Sequence, residues 1–578
     1  MKKIKRPAVH RLASRCVGGS VGGAALTALC LVTSVGAVAL AAGPAVAQNT
    51  PAPATAPADA PASVPAPAPV PTLTVPVKRY EVQGNTLLPP LRIAQRLEAF
   101  TGSVPLERLR AAAAAVQDLY RDAGYGGVVA FLPEQDLKDG VVKIRVVEGK
   151  LVRVDVADNK QYSAANIRAS LPSLVAGSTP NVRRIDAEIQ VANENPSKTV
   201  QVLLQPGGKP GEVLAAVTVA ERPVQHFNAR LDNTGGKQIG RWRAALGWQH
   251  ANLWDLDHVF ATELQTAPQN TSAVKVISGN YRAPLYGQAL AVDAYGAWSN
   301  VDAGKVGTAA GDLEFAGRGT IVGTRLSAYL ARAGNIDQRA ILGLESREYK
   351  NSCSIAGLPQ GACGSAGASV SVQPLTLSYT AQAASEARWG LNIGLTHNLA
   401  AGGAHGAQAD FYAVRADSPR RYTLLRVSAQ LTLPLSDAVS LSTRLNAQAT
   451  AKPLVPGEMF GAGGAQSVRG YEEREISGDS GVTLSLEMQG GNWAEGWSFL
   501  KGSDLRLLGF VDAGTVANKA GSPCQPGKTR CQVAGAGIGL RGQWQGLQLR
   551  LDVASALEAT TTTARGDTRA HFALLYNF

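Results

Sequence analysis

The second half of the chain alternates apolar and polar residues with a period of two. Leu425, Val427, Ala429, Leu431 and Leu433 alternate with Arg426, Ser428, Gln430 and Thr432. Leu441, Thr443, Leu445 and Ala447 alternate with Ser442, Arg444, Asn446 and Gln448. The same period runs through Val482–Met488, Leu547–Val553 and Phe572–Phe578. It puts alternate side chains on opposite faces of a β-strand. Counting back from Phe578, the pattern predicts strands near 568–578, 547–559, 532–544, 504–515, 481–489, 439–450, 421–434, 388–398, 370–383, 339–350 and 315–331. Five more fall near 288–299, 272–284, 257–266, 240–251 and 225–234, which makes sixteen. Residues 451–480 interrupt the series. Their centre, Gly457–Asp479, reads GEMFGAGGAQSVRGYEEREISGD and has no helical period. A loop of this length in a compact region has a function or is disordered.

Upstream the period changes. Val75–Val82 is strand-like, Leu91–Ala99 has helical spacing, and Leu106–Ala123 places Leu109, Ala113, Val116 and Tyr120 on one helix face. Strands follow at Val128–Leu132 and Val141–Glu148. The order then recurs: a strand at Leu151–Val156, helices at Ser163–Leu171 and Asn181–Asn193, and strands at Thr199–Pro206 and Glu212–Glu221. Two β-α-α-β-β units, 73–149 and 150–222, are an internal repeat of supersecondary structure. Residues 48–72 are a Pro/Ala-rich linker. Residues 1–47 read as a signal peptide: a basic start, an apolar run, then Ala45-Val46-Ala47 before Gln48.

Charged residues are 17% of the chain, against ~25% in soluble domains. After residue 50 no stretch holds the ~18 unbroken apolar residues of a transmembrane helix. A large soluble β-protein fits these numbers, and so does a barrel whose alternation hides its lipid face from a hydropathy average. The loops favour the barrel. Ser436-Asp437-Ala438 and Gln545-Gly546 are short turns at one end, whereas 451–480 and both cysteine-bearing loops fall at the other. Short periplasmic turns with longer outer loops are the expected asymmetry, and in lipid such a sheet must close on itself. The fold class is therefore a membrane all-β protein. A 16-stranded antiparallel transmembrane β-barrel, 223–578, folds loop 451–480 into its lumen and follows two periplasmic α+β domains. The site is the outer membrane of a Gram-negative bacterium.

The formal charge of +12 includes six basic residues of 1–47, so the remainder carries about +6. That charge is too mild and dispersed for nucleic acid. Cys16 and Cys30 lie in the signal. Cys353/Cys363 and Cys524/Cys531 lack C-x-x-C spacing or a nearby His, so no metal site is expected. In an oxidising compartment each pair reads as a local disulfide, with free thiols as the alternative. Gly478-Asp479-Ser480-Gly481 looks like a serine-protease segment, but no matching His and Asp context accompanies it. Gly535, Gly537 and Gly539 mimic a dinucleotide fingerprint, but no helix follows; they read as small residues on the inward face, leaving room for the loop. Gly461–Gly464 lacks the Lys-Ser/Thr of a phosphate loop, and the seven His are scattered. No enzyme and no cofactor is expected.

Five stretches carry a family resemblance. Val468-Arg469-Gly470-Tyr471, within FGAGGAQSVRGY, resembles the VRGY/F signature shared by two-partner secretion transporters and the BamA assembly factor. Phe510 and Asp512, in GFVDAG, resemble the F-x-D motif. GYGGVVAFLPEQDLKDGVVKIRVVEGKL and NENPSKTVQVLLQPG are similar to the first and second POTRA domains of the secretion branch. Tyr576 and Phe578 resemble a C-terminal barrel-assembly signal. The chain is thus identified, over 73–578, as resembling the two-partner secretion (TpsB) family. The resemblance implies export of a large partner exoprotein, of haemolysin, adhesin or toxin type, without ATP. It implies that the loop's Arg469 meets an acidic residue on the inner wall, for which Asp512 is the candidate. Alternation independently points Arg506, Phe510 and Asp512 inward, opposite Leu505, Leu507 and Val511. The implied partners are the secreted protein's N-terminal secretion domain, outer-membrane lipids, periplasmic chaperones and the barrel-assembly machinery. An exposed edge at Thr199–Leu204 or Glu212–Glu221 could accept the partner by β-augmentation. The alternative is an insertase for other barrel proteins. The plug helix of some members is not expected here, because the Pro-rich segment holds no amphipathic helix.

Overall fold

The computed structural model of the chain describes residues 74–578 apart from 138, 237–239, 273, 301–303, 307–312, 316–317, 351–367 and 498–500. The signal and the Pro/Ala-rich linker lie outside the described residues. So do Cys353 and Cys363, and with them the first of the two expected disulfides.

The first unit comprises β1 (Thr74–Val77), β2 (Arg79–Gln83), α1 (Pro90–Leu97), β3 (Gly102–Pro105), α2 (Leu106–Asp122), β4 (Val128–Phe131) and β5 (Val141–Glu148). Strand β5 is central, parallel to β2 and antiparallel to β4. The apolar face of α2, with Ala113, Val116 and Tyr120, packs on Val128, Ile144 and Val146 of the sheet. The expected strand Val75–Val82 is in fact two. It breaks at Lys78, where the Lys78 and Arg79 N–H groups both donate to the Gly140 carbonyl at 2.7 and 3.3 Å. Its first half pairs instead with β3, a short strand the alternation does not announce.

The second unit comprises β6 (Lys150–Ala157), α3 (Ala164–Ala169), α4 (Val182–Ala192), β7 (Lys198–Pro206) and β8 (Glu212–Glu221). Its sheet has the same order, with β8 parallel to β6 and antiparallel to β7. The repeat reaches individual carboxylates. Glu148, ending β5, accepts the Thr86 and Leu87 N–H groups at 2.7 and 3.1 Å. Glu221, ending β8, accepts those of Lys160, Gln161 and Tyr162 at 2.9, 2.7 and 3.3 Å. In each unit the last strand's final residue closes the turn after the strand that runs parallel to it. One expectation is corrected here. Glu212–Glu221 is paired on both sides and offers no edge; of the two candidate segments, only that in β7 lies at the sheet's margin.

The barrel strands are β9 (Gln225–Asp232), β10 (Arg243–Leu253), β11 (His258–Thr266), β12 (Lys275–Leu285), β13 (Leu290–Ser299), β14 (Gly319–Ala333) and β15 (Ile336–Tyr349). Next comes β16, formed by Val370–Val372 and Pro374–Ala384, which both pair with β15. Then follow β17 (Arg388–Asn398), α5 (Gln408–Val414), β18 (Thr423–Ser436), β19 (Val439–Thr450), β20 (Ser480–Gly490), β21 (Asp504–Ala517), β22 (Arg530–Trp544), β23 (Leu547–Ala556) and β24 (Thr568–Asn577). The described residues thus form sixteen antiparallel barrel strands, and β24 closes on β9. Each strand falls within a few residues of its expected position. Phe227 and Phe578 extend the closing seam by exchanging two backbone hydrogen bonds of 3.0 Å, with their rings stacked 5.8 Å apart. Tyr576 stacks on Phe578 on the outer face. The Gln545-Gly546 turn has positive φ at both residues, 43° and 86°, the conformation that matches strand twist in a two-residue hairpin. Leu264, Leu342, Leu377, Leu395, Leu486 and Ile538 lie exposed on the outer face, where lipid covers them.

A buried ion pair fixes the second unit to the barrel. Lys198 Nζ of β7 meets Asp257 Oδ2, in the turn between β10 and β11, at 2.5 Å, and neither side chain is appreciably exposed. Tyr286 donates to the same oxygen, and Lys198 also reaches Asn166 Oδ1 at 3.1 Å. Burial pulls the Lys198 ammonium below the usual lysine range, while the Asp257 carboxylate opposes that pull. Removing the carboxylate strands a buried cation, which costs ~3 kcal/mol or more. Asp257→Ala is therefore expected to loosen this joint. Limited proteolysis at 221–225 should accelerate about a hundredfold relative to wild type, the rate tracking the open fraction; an unchanged rate would show that the pair does not hold the joint.

Candidate functional site

Between β19 and β20 the chain enters the lumen. A short hairpin, Phe460–Ala462 paired with Ile476–Gly478, stiffens the loop, and residues 463–475 form its tip. Arg469 sits there with 2% of its surface exposed. Its guanidinium is bidentate on Asp512, Nε to Oδ2 at 2.6 Å and Nη2 to Oδ1 at 2.7 Å. The Arg469 backbone N–H donates to the same carboxylate at 3.0 Å. Nη1 reaches Glu487 at 2.6 Å and Asp552 at 3.4 Å, and Nη2 reaches Ser485 Oγ at 3.2 Å. The guanidinium carbon lies 3.3 Å from the centre of the Phe510 ring.

This geometry gives a physical reason for phenylalanine and aspartate at a spacing of two. Both point inward from β21 because strand faces repeat every second residue. One supplies a flat π face and the other a fork that matches guanidinium bidentately. Lysine could satisfy neither as well.

The rest of the motif is equally committed. Gly470 has φ +99°, and its N–H donates to His571 Nε2 of β24 at 3.0 Å. The Tyr471 hydroxyl lies 2.8 Å from the carbonyls of Ala534 and Glu558 and accepts the Glu558 N–H at 3.1 Å. Val468, Tyr471 and Ile476 pack with Val516, Val533 and Ala556 of the wall. A Cβ on Gly535 would stand 2.0 Å from the Arg469 carbonyl oxygen. On Gly537 it would meet the Phe510 ring at 2.7 Å, and on Gly539 the Asp552 carboxylate at 2.3 Å. Gly535 thus makes room for the loop itself, and the other two for the wall residues around it.

The sequence-predicted residues Val468, Arg469, Gly470, Tyr471, Phe510 and Asp512 are brought together. Cys524, in the outer loop between β21 and β22, is joined to Cys531 at the start of β22. Cys353 and Cys363 both fall in 351–367, outside the described residues. Tyr576 and Phe578 lie apart from the site, at the seam. Arg506 faces Asp504, at 2.7 Å, rather than the loop.

Several participants were missed. Asp552 is fully buried and holds Arg541 at 2.9 Å and Arg550 at 2.8 Å. With Glu487 and Asp512 it forms an acidic triad that Arg469, Arg541 and Arg550 balance. Alternation puts the five strand-borne members on the inward face; what it lacks is which strands stand beside the loop. Near the loop's root, Glu458 is fully buried and accepts from Arg347 Nη1 and Tyr349 Oη of β15, each at 2.8 Å. Counting around the ring, β15 lies six strands from β21 and eight from β23. The loop therefore ties nearly opposite walls of the barrel together.

Comparison with known proteins places these features. Residues 213–542 match the model of the family described as haemolysin secretion/activation protein ShlB/FhaC/HecB, and residues 75–149 match the ShlB-type POTRA domain. The outer membrane transporter CdiB of Escherichia coli O6:K15:H31 (strain 536 / UPEC) is 28% identical over 422 residues, covering 71% of this chain and 66% of that protein. The chain thus spans about two thirds of that relative's length. The heme/hemopexin transporter protein HuxB of Haemophilus influenzae (strain ATCC 51907 / DSM 11121 / KW20 / Rd) is 24% identical over 185 residues, 31% of this chain and 33% of its own. Among solved structures, CdiB from Escherichia coli superposes with a TM-score of 0.71 at 21% identity, covering 89% of this chain and 93% of that one. CdiB from Acinetobacter baumannii gives 0.65 at 17% identity, over 96% and 98%.

Proposed function

The chain belongs to the haemolysin secretion/activation protein family, ShlB/FhaC/HecB, and from that membership we propose that it exports a large secreted partner protein across the outer membrane. The observation that carries the reading is the seated loop, whose Arg469 is bound by four strand-borne side chains inside a closed barrel. A pore that must stay shut between substrates needs such a seat, and the seat must be able to let go. The partner, of haemolysin, adhesin or toxin type, is delivered unfolded to the POTRA units and passes through the lumen once the loop leaves. Folding outside the cell prevents return and supplies direction without ATP.

Recognition is assigned to the free side of β7. The Asn193 carboxamide pairs with both backbone groups of Val200 on that side, at 2.7 and 3.1 Å. Since backbone groups alternate sides along a strand, Val202 and Leu204 face the same way. An incoming strand could continue the sheet there. Proline at 202 removes an outward N–H and leaves the ladder to β8 intact, a substitution an edge strand tolerates. Val202→Pro is expected to keep the transporter in the membrane but cut partner binding about tenfold, the loss of one to two net hydrogen bonds. Unchanged pull-down of the partner's secretion domain would move recognition elsewhere.

The deciding experiment is secretion of the partner in strains with and without this protein. Accumulation in the medium should require it. Equal secretion in both strains sinks the transporter reading, and a general loss of outer-membrane barrels would favour an insertase.

A further inference from the structure

Besides its tip and the Glu458 contacts with β15, the lumen loop is held at a further place, where it leaves and rejoins the wall. After β17 the chain builds an ordered outer segment, 399–422, around α5. Asp410 takes the Ala407 N–H at 2.8 Å, Gln408 bridges to the Ser418 carbonyl and the Arg420 N–H at 2.9 and 3.0 Å, and Ser418 Oγ returns to the Phe411 carbonyl at 2.8 Å. Phe411 and Val414 of α5 are buried against Tyr349, Val370, Tyr422, Leu424, Leu454 and Val455. The last two residues of that set lie where the lumen loop begins.

Arg415 follows α5 and points at the loop's neck. Its Nη1 and Nη2 hold the two oxygens of Asp479 at 2.5 and 2.9 Å, and Nη1 also donates to the Leu454 carbonyl at 2.6 Å. Asp479 is fully buried. It accepts the Leu454 N–H at 2.7 Å and, from the disulfide-bearing outer loop, the Lys519 N–H at 2.7 Å. Leu454 is where the loop leaves the wall, and Asp479 is where it returns. One carboxylate and one guanidinium thus tie the start of the loop, its end and two neighbouring outer loops into a single knot. The GDSG segment that imitates a protease motif owes its aspartate to this role.

The geometry points to Arg415 as a positioning residue for gating: it pins the neck of the lumen loop from the cell-surface side, so that the loop is locked independently at tip and neck. The two locks share no residue. Releasing Arg469 frees the tip but leaves Leu454 and Asp479 bound, and releasing Arg415 loosens the neck, which Glu458 still ties to β15, while the tip stays seated. The loop clears the lumen only when both let go, so the segment carrying α5 acts as an outer clasp.

This inference rests on reading the loop as the gate, and its test needs no partner protein. Purified barrels are inserted in planar bilayers and spontaneous openings are counted. In Arg415→Gln the openings should become about tenfold more frequent, the scale of losing a charge-assisted hydrogen-bonded pair. Arg415→Lys should fall between, because one ammonium cannot hold both Asp479 oxygens and the Leu454 carbonyl. Phe411→Ala, which changes no charge, should shift openings the same way. Heat-modifiable migration on gels confirms folding of each variant. If Arg415→Gln fails to fold, Phe411→Ala decides alone. Wild-type opening frequency in the folded variants overturns the clasp. A wild-type protein that proves dispensable for secretion, while the variants still open more often, would remove the transport reading and leave the clasp standing.

Discussion

Arg469→Ala is expected to yield a barrel that folds, inserts and migrates as wild type but secretes its partner at about a hundredth of the normal level. The magnitude follows from what the side chain holds. It is almost wholly buried, bidentate on Asp512, bonded to Glu487 and stacked on Phe510. Removing one partner of such a buried pair costs ~3–5 kcal/mol, enough to empty the seated state by two orders of magnitude or more. The sixteen-strand ladder does not depend on this residue, so the barrel itself should survive. A tip without its seat leaves the acidic triad under-neutralised and lets the loop wander in the lumen, where it obstructs the path instead of leaving it in one step. Partner protein in the medium, normalised to barrel in the outer membrane, is the measurement. Secretion at the wild-type level would show that the pair has no part in transport.

The reciprocal exchange, Arg469→Asp with Asp512→Arg, sharpens the point. A simple ion pair would be restored by swapping charges. Here Asp512 also takes the Arg469 backbone N–H, and the guanidinium lies on the Phe510 ring from the loop side. The exchange should therefore fail to rescue secretion.

What the sequence made legible follows from the physics of each signal. A period of two is enforced along every barrel strand by lipid on one face and the lumen on the other, so strand positions and the inward direction of Phe510 and Asp512 could be read directly. Partners across the lumen could not. Asp552, Glu487 and His571 alternate inward like dozens of other polar residues, and only the path of the loop selects them. Glu458 and Asp479 sit in the loop with no period around them, and Arg415 lies in an outer segment whose seven-residue helix is too short for a periodic signature. The misplaced edge at Glu212–Glu221 has another cause. Alternation marks a strand but not its neighbours, and the crossover through α3 and α4 brings β8 between β6 and β7, paired with both.

Gly535→Ala should reproduce the Arg469 defect without touching a charge. Gly535 faces inward from β22, and an added Cβ would fall 2.0 Å from the Arg469 carbonyl oxygen. That oxygen belongs to the backbone and cannot rotate away, so the tip itself must retreat by more than an ångström to restore a normal contact. Such a retreat breaks hydrogen bonds of 2.6 and 2.7 Å to Asp512 and lifts the guanidinium from the Phe510 ring. Overpacking of this kind costs ~1–3 kcal/mol, so secretion should fall about tenfold or more while the barrel persists. Gly509 supplies the control. It lies on the neighbouring strand β21, on the outer face, and a Cβ there would meet nothing within 4 Å. Gly509→Ala should secrete as wild type. If Gly535→Ala also does so, the tip is not seated against β22 during the resting state, and the latch would have to be sought in the loop's other contacts.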